Sequence, residues 1–335
     1  MKKIVLSLSM MAAVAMVAIG ATGAFFSDTE TSTGNTFTAG AIDLKVDSTS
    51  HYNNMVCTLG DGGSTWQPEE GAFPDGVPVD HYPQPNTPCD GTWTETDLGA
   101  KHKFFNLTDV KPGDDGEDTI SLHVYGNDAW GRFVINGVTD LDNTCTEPET
   151  ETGVLDPECS LPLPVPGAGE LAESISFYAW LDQGLIPGFQ NIDANGAPTT
   201  PVPDPKEGDN IQQCDLQGPT GNGPVCAEPT VILPGTVDEN PDPDQTLADE
   251  THNIWEALAA VYAVYCPLND EQGADNYGPC QGIAKDGRMV GSTTYYFGLA
   301  WNVPYLVGNE AQTDSLNANL VFQAVQQRNN PSQTF

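Results

Sequence analysis

The chain has 335 residues, 47 of them acidic against 11 basic, and a net charge of −36 at neutral pH. That balance argues against nucleic-acid binding and against docking on an anionic membrane face. It suits solubility, divalent-cation uptake or a saline habitat whose ions screen the self-repulsion.

The first residues read as a secretory leader. Met1-Lys2-Lys3 is a cationic head, Ile4 to Ile19 is apolar except for Ser7 and Ser9, and Gly20 to Ala24 is a run of small residues suited to cleavage. Residues 1–24 are therefore expected to be a signal peptide, the alternative being an uncleaved anchor at the short edge of membrane-spanning length. Cleavage removes two lysines and no acid. Residues 25–40 follow as an extended, Thr-rich segment without proline, opened by Phe25 and Phe26. No membrane association is expected of the mature chain.

Next come segments that alternate apolar and polar residues with period two, the mark of half-buried strands. Ala41 to Asp47 places Ile42, Leu44 and Val46 on one face. Thr119 to Tyr125 repeats this with Ile120, Leu122 and Val124. Arg132 to Ile135, Ser174 to Leu181, Thr294 to Trp301 and Leu320 to Val325 are further strands. Lys111-Pro112-Gly113-Asp114 and Gly126-Asn127-Asp128 read as turns. Asn253 to Tyr265 breaks the pattern, with Ile254, Leu258, Val261, Tyr262 and Tyr265 at helical spacing, and Pro267 beyond it cannot continue a helix. Gly60 to Pro88, Pro198 to Gly208 and Pro234 to Asp244 are long Pro/Gly/acid loops. The expectation is an all-β, antiparallel, jelly-roll-like β-sandwich over residues 41–335, with loop insertions and one short helix.

Eight cysteines, an even number behind a leader, read as disulfides made outside the cytoplasm. Sequential pairing is expected: Cys57 with Cys89, Cys145 with Cys159, Cys214 with Cys226, and Cys266 with Cys280. The last three pairs close short local loops, worth about 3 kcal/mol each. Zinc is the rival reading, but there is no Cys-x-x-Cys and no histidine at ligand spacing from a cysteine.

Catalytic patterns are absent from the sequence. There is no His-Glu-x-x-His, no Gly-x-Ser-x-Gly elbow and no phosphate-binding glycine loop. An enzyme is not expected. Acids are abundant, so acid pairs are weak signals. Asp114-Asp115 with Glu117-Asp118 could bind calcium, and so could Asp193 with Asn195 in an Asp-x-Asn-Gly turn, though the latter lacks the bidentate Glu of an EF-hand. Calcium is a candidate cofactor on that ground, with solvated turns as the alternative. Asn106-Leu107-Thr108 is a lone glycosylation sequon. Tyr295 to Trp301 could be a sugar-binding face, but the same residues are ordinary core strand formers.

The stretch Gly-Ala-Thr-Gly-Ala-Phe-Phe-Ser-Asp-Thr-Glu-Thr-Ser from Gly20, followed by Gly-Asn-Thr-Phe-Thr-Ala-Gly and Ile-Asp-Leu ending at Leu44, resembles the signal-and-start region of the TasA/camelysin family. Asn106 to Asp114 is similar to that family's Lys-Pro-Gly-Asp turn, and segments between Asn302 and Asn330 resemble the ends of secreted proteins with this leader. The Cys-rich insertions have no counterpart there. The resemblance implies cleavage by a SipW-type signal peptidase, secretion to the cell surface or biofilm matrix, and a jelly-roll subunit of an extracellular filament. It also implies that the N-terminal segment of one copy completes the sheet of the next, so the partner is the chain itself. Phe25 and Phe26 would make the assembly contact, flanked by Thr29, Thr31 and Thr33. The alternatives are that residues 25–40 form the domain's own first strand, in a surface- or matrix-binding protein that never polymerises, or a metalloprotease as described for the camelysin branch. The C-terminus shows no hydrophobic tail or sorting motif, so retention through assembly or partners is expected.

Overall fold

The computed structural model describes residues 42–150, 156–184, 188–189, 206–215, 225–226, 228–236, 251–266 and 280–335. The leader, the segment 25–40 with Phe25, Phe26, Thr29, Thr31 and Thr33, and the Asp193/Asn195 turn lie outside these residues.

Two antiparallel sheets pack as a β-sandwich. Fourteen strands run in chain order: β1 (Ile42–Tyr52), β2 (Met55–Thr58), β3 (Thr65–Pro68), β4 (Trp93–Thr96), β5 (Asp115–Gly126), β6 (Ala129–Asp142), β7 (Val165–Pro166), β8 (Ser176–Leu181), β9 (Cys214–Asp215), β10 (Val225–Cys226), β11 (Thr230–Thr236), β12 (Thr251–Asn253), β13 (Thr293–Asn302) and β14 (Ser315–Gln326). The larger sheet has the order β11-β8-β13-β5-β1-β2-β3, with β4 also on β1. The smaller has the order β12-β6-β14, with β7 on β6, and β9-β10 is a separate ribbon.

The core follows from strand alternation. Val46, then Ile120, Leu122 and Val124, and then Tyr295, Phe297, Leu299 and Trp301 face inward from β1, β5 and β13 and are buried. Phe322 of the smaller sheet meets Phe133 at 5.0 Å, Phe297 at 5.9 Å and Phe104 at 6.4 Å between ring centroids. The Tyr295 to Trp301 strand is thus core material on one face, and Tyr296 on the other is half-buried. Gly116, opposite Trp301, leaves room for its indole, because a Cβ there would stand 2.7 Å from Nε1.

The strands run longer than the apolar alternation suggests. β1 continues past Asp47 to Tyr52, and its inward positions there are Ser48, Ser50 and Tyr52, all buried. β5 begins at Asp115, so Asp118 enters the core opposite Ser50. Burial holds the Asp118 carboxyl well above the usual carboxylate range, and the Ser50 hydroxyl opposite draws it partly back.

The described residues hold two α-helices where one was expected. α1 (Glu170–Ser174) is a five-residue turn of helix that takes Ser174 out of the predicted strand. α2 (Ile254–Tyr265) matches its periodicity: Ile254, Ala257, Leu258 and Val261 are buried, and the helix lies on β6. Among the described residues three disulfides join Cys57 to Cys89, Cys145 to Cys159 and Cys266 to Cys280. Cys214 and Cys226 are cross-strand partners in the β9-β10 ladder. Among the described residues no helix is long and apolar enough to cross a membrane.

Candidate functional site

β14 has twelve residues, Ser-Leu-Asn-Ala-Asn-Leu-Val-Phe-Gln-Ala-Val-Gln, with no charge and no proline. One edge pairs with β6 from Ser315 opposite Leu141 to Gln326 opposite Ala129. Its other edge meets no further strand among the described residues. Leu316, Leu320, Phe322 and Ala324 pack against the core yet remain half-exposed. A long, uncharged edge is a template for a further strand, and natural proteins ordinarily blunt such edges with lysine, proline, a bulge or a cover. β14 has one register irregularity, between Asn317 and Asn319, and is otherwise in continuous register. Sequence alternation identifies the strand but not its place at the sheet edge, which depends on pairing between residues far apart in the chain.

The Asp114 to Asp118 acids do not form one site. Asp114 closes the Lys-Pro-Gly-Asp turn: its Oδ2 accepts from the Tyr52 hydroxyl at 2.6 Å and the Lys111 N–H at 2.8 Å, and its Oδ1 accepts from the Asn53 amide at 2.9 Å. Glu117 and Asp118 are adjacent in a strand and so point to opposite faces. Asp118 enters the core, while Glu117 sits half-buried on the outer face, where burial raises its carboxyl to about 7. The Asn106 amide of the sequon donates to Asp90 at 2.6 Å.

Two histidines stand on the same outer face. His51 contacts Glu69 at 2.7 Å, and His123 contacts Asp47 at 2.6 Å and the Thr294 hydroxyl at 3.0 Å. The register puts His51 beside Glu117, six positions along β5 from His123. That is about 20 Å at strand rise, too far for one ion.

A second acid pair has no sequence signature. Asp182 and Glu228 are fully buried side by side. Asp182 accepts from the N–H groups of Gly208 (3.1 Å) and Asn210 (2.7 Å), and Glu228 accepts from those of Gly184 (2.7 Å) and Gln213. The pair staples the 206–213 segment to the end of β8. Burial raises Asp182 to about 6 and Glu228 to about 9; the charge of Asp182 adds to the rise at Glu228, while the hydrogen bond with Glu228 holds Asp182 lower, so the two share a proton at neutral pH. Both values lie above those of an unfolded chain, about 4. The folded form therefore holds protons that the unfolded form releases, and stability falls as pH rises from about 4 towards 9. The guanidinium-unfolding midpoint is expected to be higher near pH 5 than near pH 8.5. Glu228→Gln is expected to flatten the alkaline part of that slope, and an unchanged slope in the variant would assign it to general charge repulsion.

No family model matches the chain, and no curated protein is similar to it.

Proposed function

We propose that this chain is a secreted structural subunit that polymerises by strand addition, the residues 25–40 of one copy pairing with the free edge of β14 in the next. The observation that carries this reading is that edge: twelve residues, uncharged, with a half-exposed apolar row beside it. The edge is about 40 Å long, and a sixteen-residue segment in extended form can span it. Phe25 and Phe26 would leave the added strand on opposite faces, one of them covering the apolar row near Phe322, and the alternate residues Thr29, Thr31 and Thr33 would share the face of Phe25. Main-chain pairing would satisfy the edge and remove its aggregation hazard. The contact is heterologous and does not close on itself, so repetition gives a filament. Three disulfides suit an oxidising compartment outside the cell.

Electron microscopy of the mature chain beginning at Phe25, beside a form lacking Phe25 to Gly34, tests this. Fibres are expected from the first and none from the second. Fibres from both forms would refute strand donation. A stable monomer from the longer form, losing stability on truncation, would show that the segment closes its own β14 edge and that the protein does not polymerise.

A further inference from the structure

Five carboxylates from four separate segments converge beside the Cys145–Cys159 bridge. Asp142 ends β6, Asp156 caps and Glu158 lies within the short 3-10 turn Pro157–Ser160, Glu170 opens α1, and Asp314 immediately precedes β14. Carboxylate oxygens of Asp156, Glu158 and Glu170 lie within 4.8 Å of one another.

Asp142 is 0% exposed, and neither of its carboxylate oxygens has a hydrogen-bond partner. The charges bearing on it are those of Asp156 and Glu149, and it bears in turn on Glu158 and Asp314, so it stands within electrostatic reach of the cluster. One oxygen each of Glu158, Glu170 and Asp314 is likewise buried without a partner. Asp156 Oδ2 lies 3.5 Å from Cys159 Sγ, but a sulfur in a disulfide carries no proton to donate. Among the described residues no Lys, Arg or His is ion-paired with any of the five.

Buried carboxylates without donors or counter-charges are costly, and an ion pair or a metal is the ordinary remedy. We propose that Asp142, Asp156, Glu158, Glu170 and Asp314 form a calcium site that ties the bridged loop, α1 and the start of β14 to the end of β6. The donors are all oxygen, since both nearby cysteines are bridged and no histidine is in the group. Hard oxygen ligands exclude a preference for zinc or copper. Several carboxylates carried on a loop, a turn and strand ends suit the loose six- to eight-fold shell of Ca²⁺ better than the strict octahedron of Mg²⁺. The site does not involve residues 25–40, so it stands or falls separately from the filament reading.

The test uses the mature chain stripped with EDTA and returned to a buffer of fixed, high NaCl. Calorimetric titration with CaCl₂ is expected to show saturable binding of one or two ions per chain. Millimolar Ca²⁺ is expected to raise the thermal midpoint by about 5 °C, and Mg²⁺ at equal concentration by much less. Asp142→Asn with Glu170→Gln is expected to weaken Ca²⁺ binding at least about tenfold. Glu170→Gln alone, at the half-exposed start of α1, gives the same reading in reduced measure if the double variant does not fold. Absence of saturable binding, equal effects of Ca²⁺ and Mg²⁺, or unchanged affinity in the variants would each overturn the assignment, the last by placing the ion among other acids.

Discussion

Gly298→Ala is expected to cost about 3 kcal/mol of folding stability, a large share of what a domain of this kind possesses. Gly298 lies in β13, the strand that joins β5 to β8 in the middle of the larger sheet, and is paired with Thr119 on one side and Trp180 on the other. A methyl group there would stand 2.0 Å from Trp180 Cζ2 and 2.2 Å from Cε2. The indole cannot yield cheaply. It is 1% exposed and stacked on Tyr178 with ring centroids 5.3 Å apart. Either the ring leaves its place, forfeiting much of the 3–5 kcal/mol (roughly) that a buried tryptophan contributes, or the strands separate and weaken the ladder. The coupling with Trp180 makes the cause testable. Gly298→Ala combined with Trp180→Ala should cost at least about 1 kcal/mol less than the two single losses added together. Denaturant unfolding of the four proteins gives the cycle. A loss below about 1 kcal/mol in Gly298→Ala would mean that the indole is free to move aside.

The second large effect is expected from Cys57→Ala with Cys89→Ala. Their bond spans 32 residues, against 14 for each of the Cys145–Cys159 and Cys266–Cys280 bonds. In the chain-entropy description the longer loop is worth about 4 kcal/mol and the shorter ones about 3 kcal/mol. Cys57 is itself buried in the core beside Met55 and Trp66. The bond holds down the loop after β3, which brings Tyr82 to 5.8 Å from Tyr52 at the end of β1, with Trp66 at 6.1 Å from the same ring. The double variant should lower the midpoint more than removal of either short bridge and should open residues 69–88 to proteases first. An unfolding free energy within about 1 kcal/mol of the parent's would show that the aromatic contacts hold this loop without the bond.

Legibility in the sequence tracked apolar periodicity. Ile42, Leu44 and Val46 announce β1, but Ser48 and Ser50 continue its inward row, and a hydrophobic count does not see buried serines. Asp118 is hidden for the same reason, because its burial depends on Ser50 and Leu299 on neighbouring strands. α2 was readable because four buried residues fall on one stripe, whereas α1 is too short for its spacing to stand out from a strand. Sequential cysteine pairing followed from local loop closure for Cys145–Cys159 and Cys266–Cys280, and Cys57–Cys89 is the third bond among the described residues. The acid clusters were not legible. Asp142, Glu170 and Asp314 lie far apart in the chain, and only the folding of β6, α1 and β14 brings them together. The acid runs that did stand out, around Asp114 and Glu117, are divided by the pleat of a single strand.

The placement of β13 and β14 sets the order in which this molecule can come into being. The larger sheet has no middle until residue 302, since β5 and β8 touch only through β13. The smaller sheet gains its long second strand only at residue 326, and Phe335 beyond it stacks on Trp255 of α2 at 5.8 Å. A ribosome delivers these two strands after the other twelve described ones. Until then Ile120, Leu122 and Phe133 lie on strands that still lack β13 and β14 beside them. The pairings of β13 and β14 join distant parts of the chain, the kind of contact that slows folding. A ribosome stalled before β14 would leave β6 without its long partner strand.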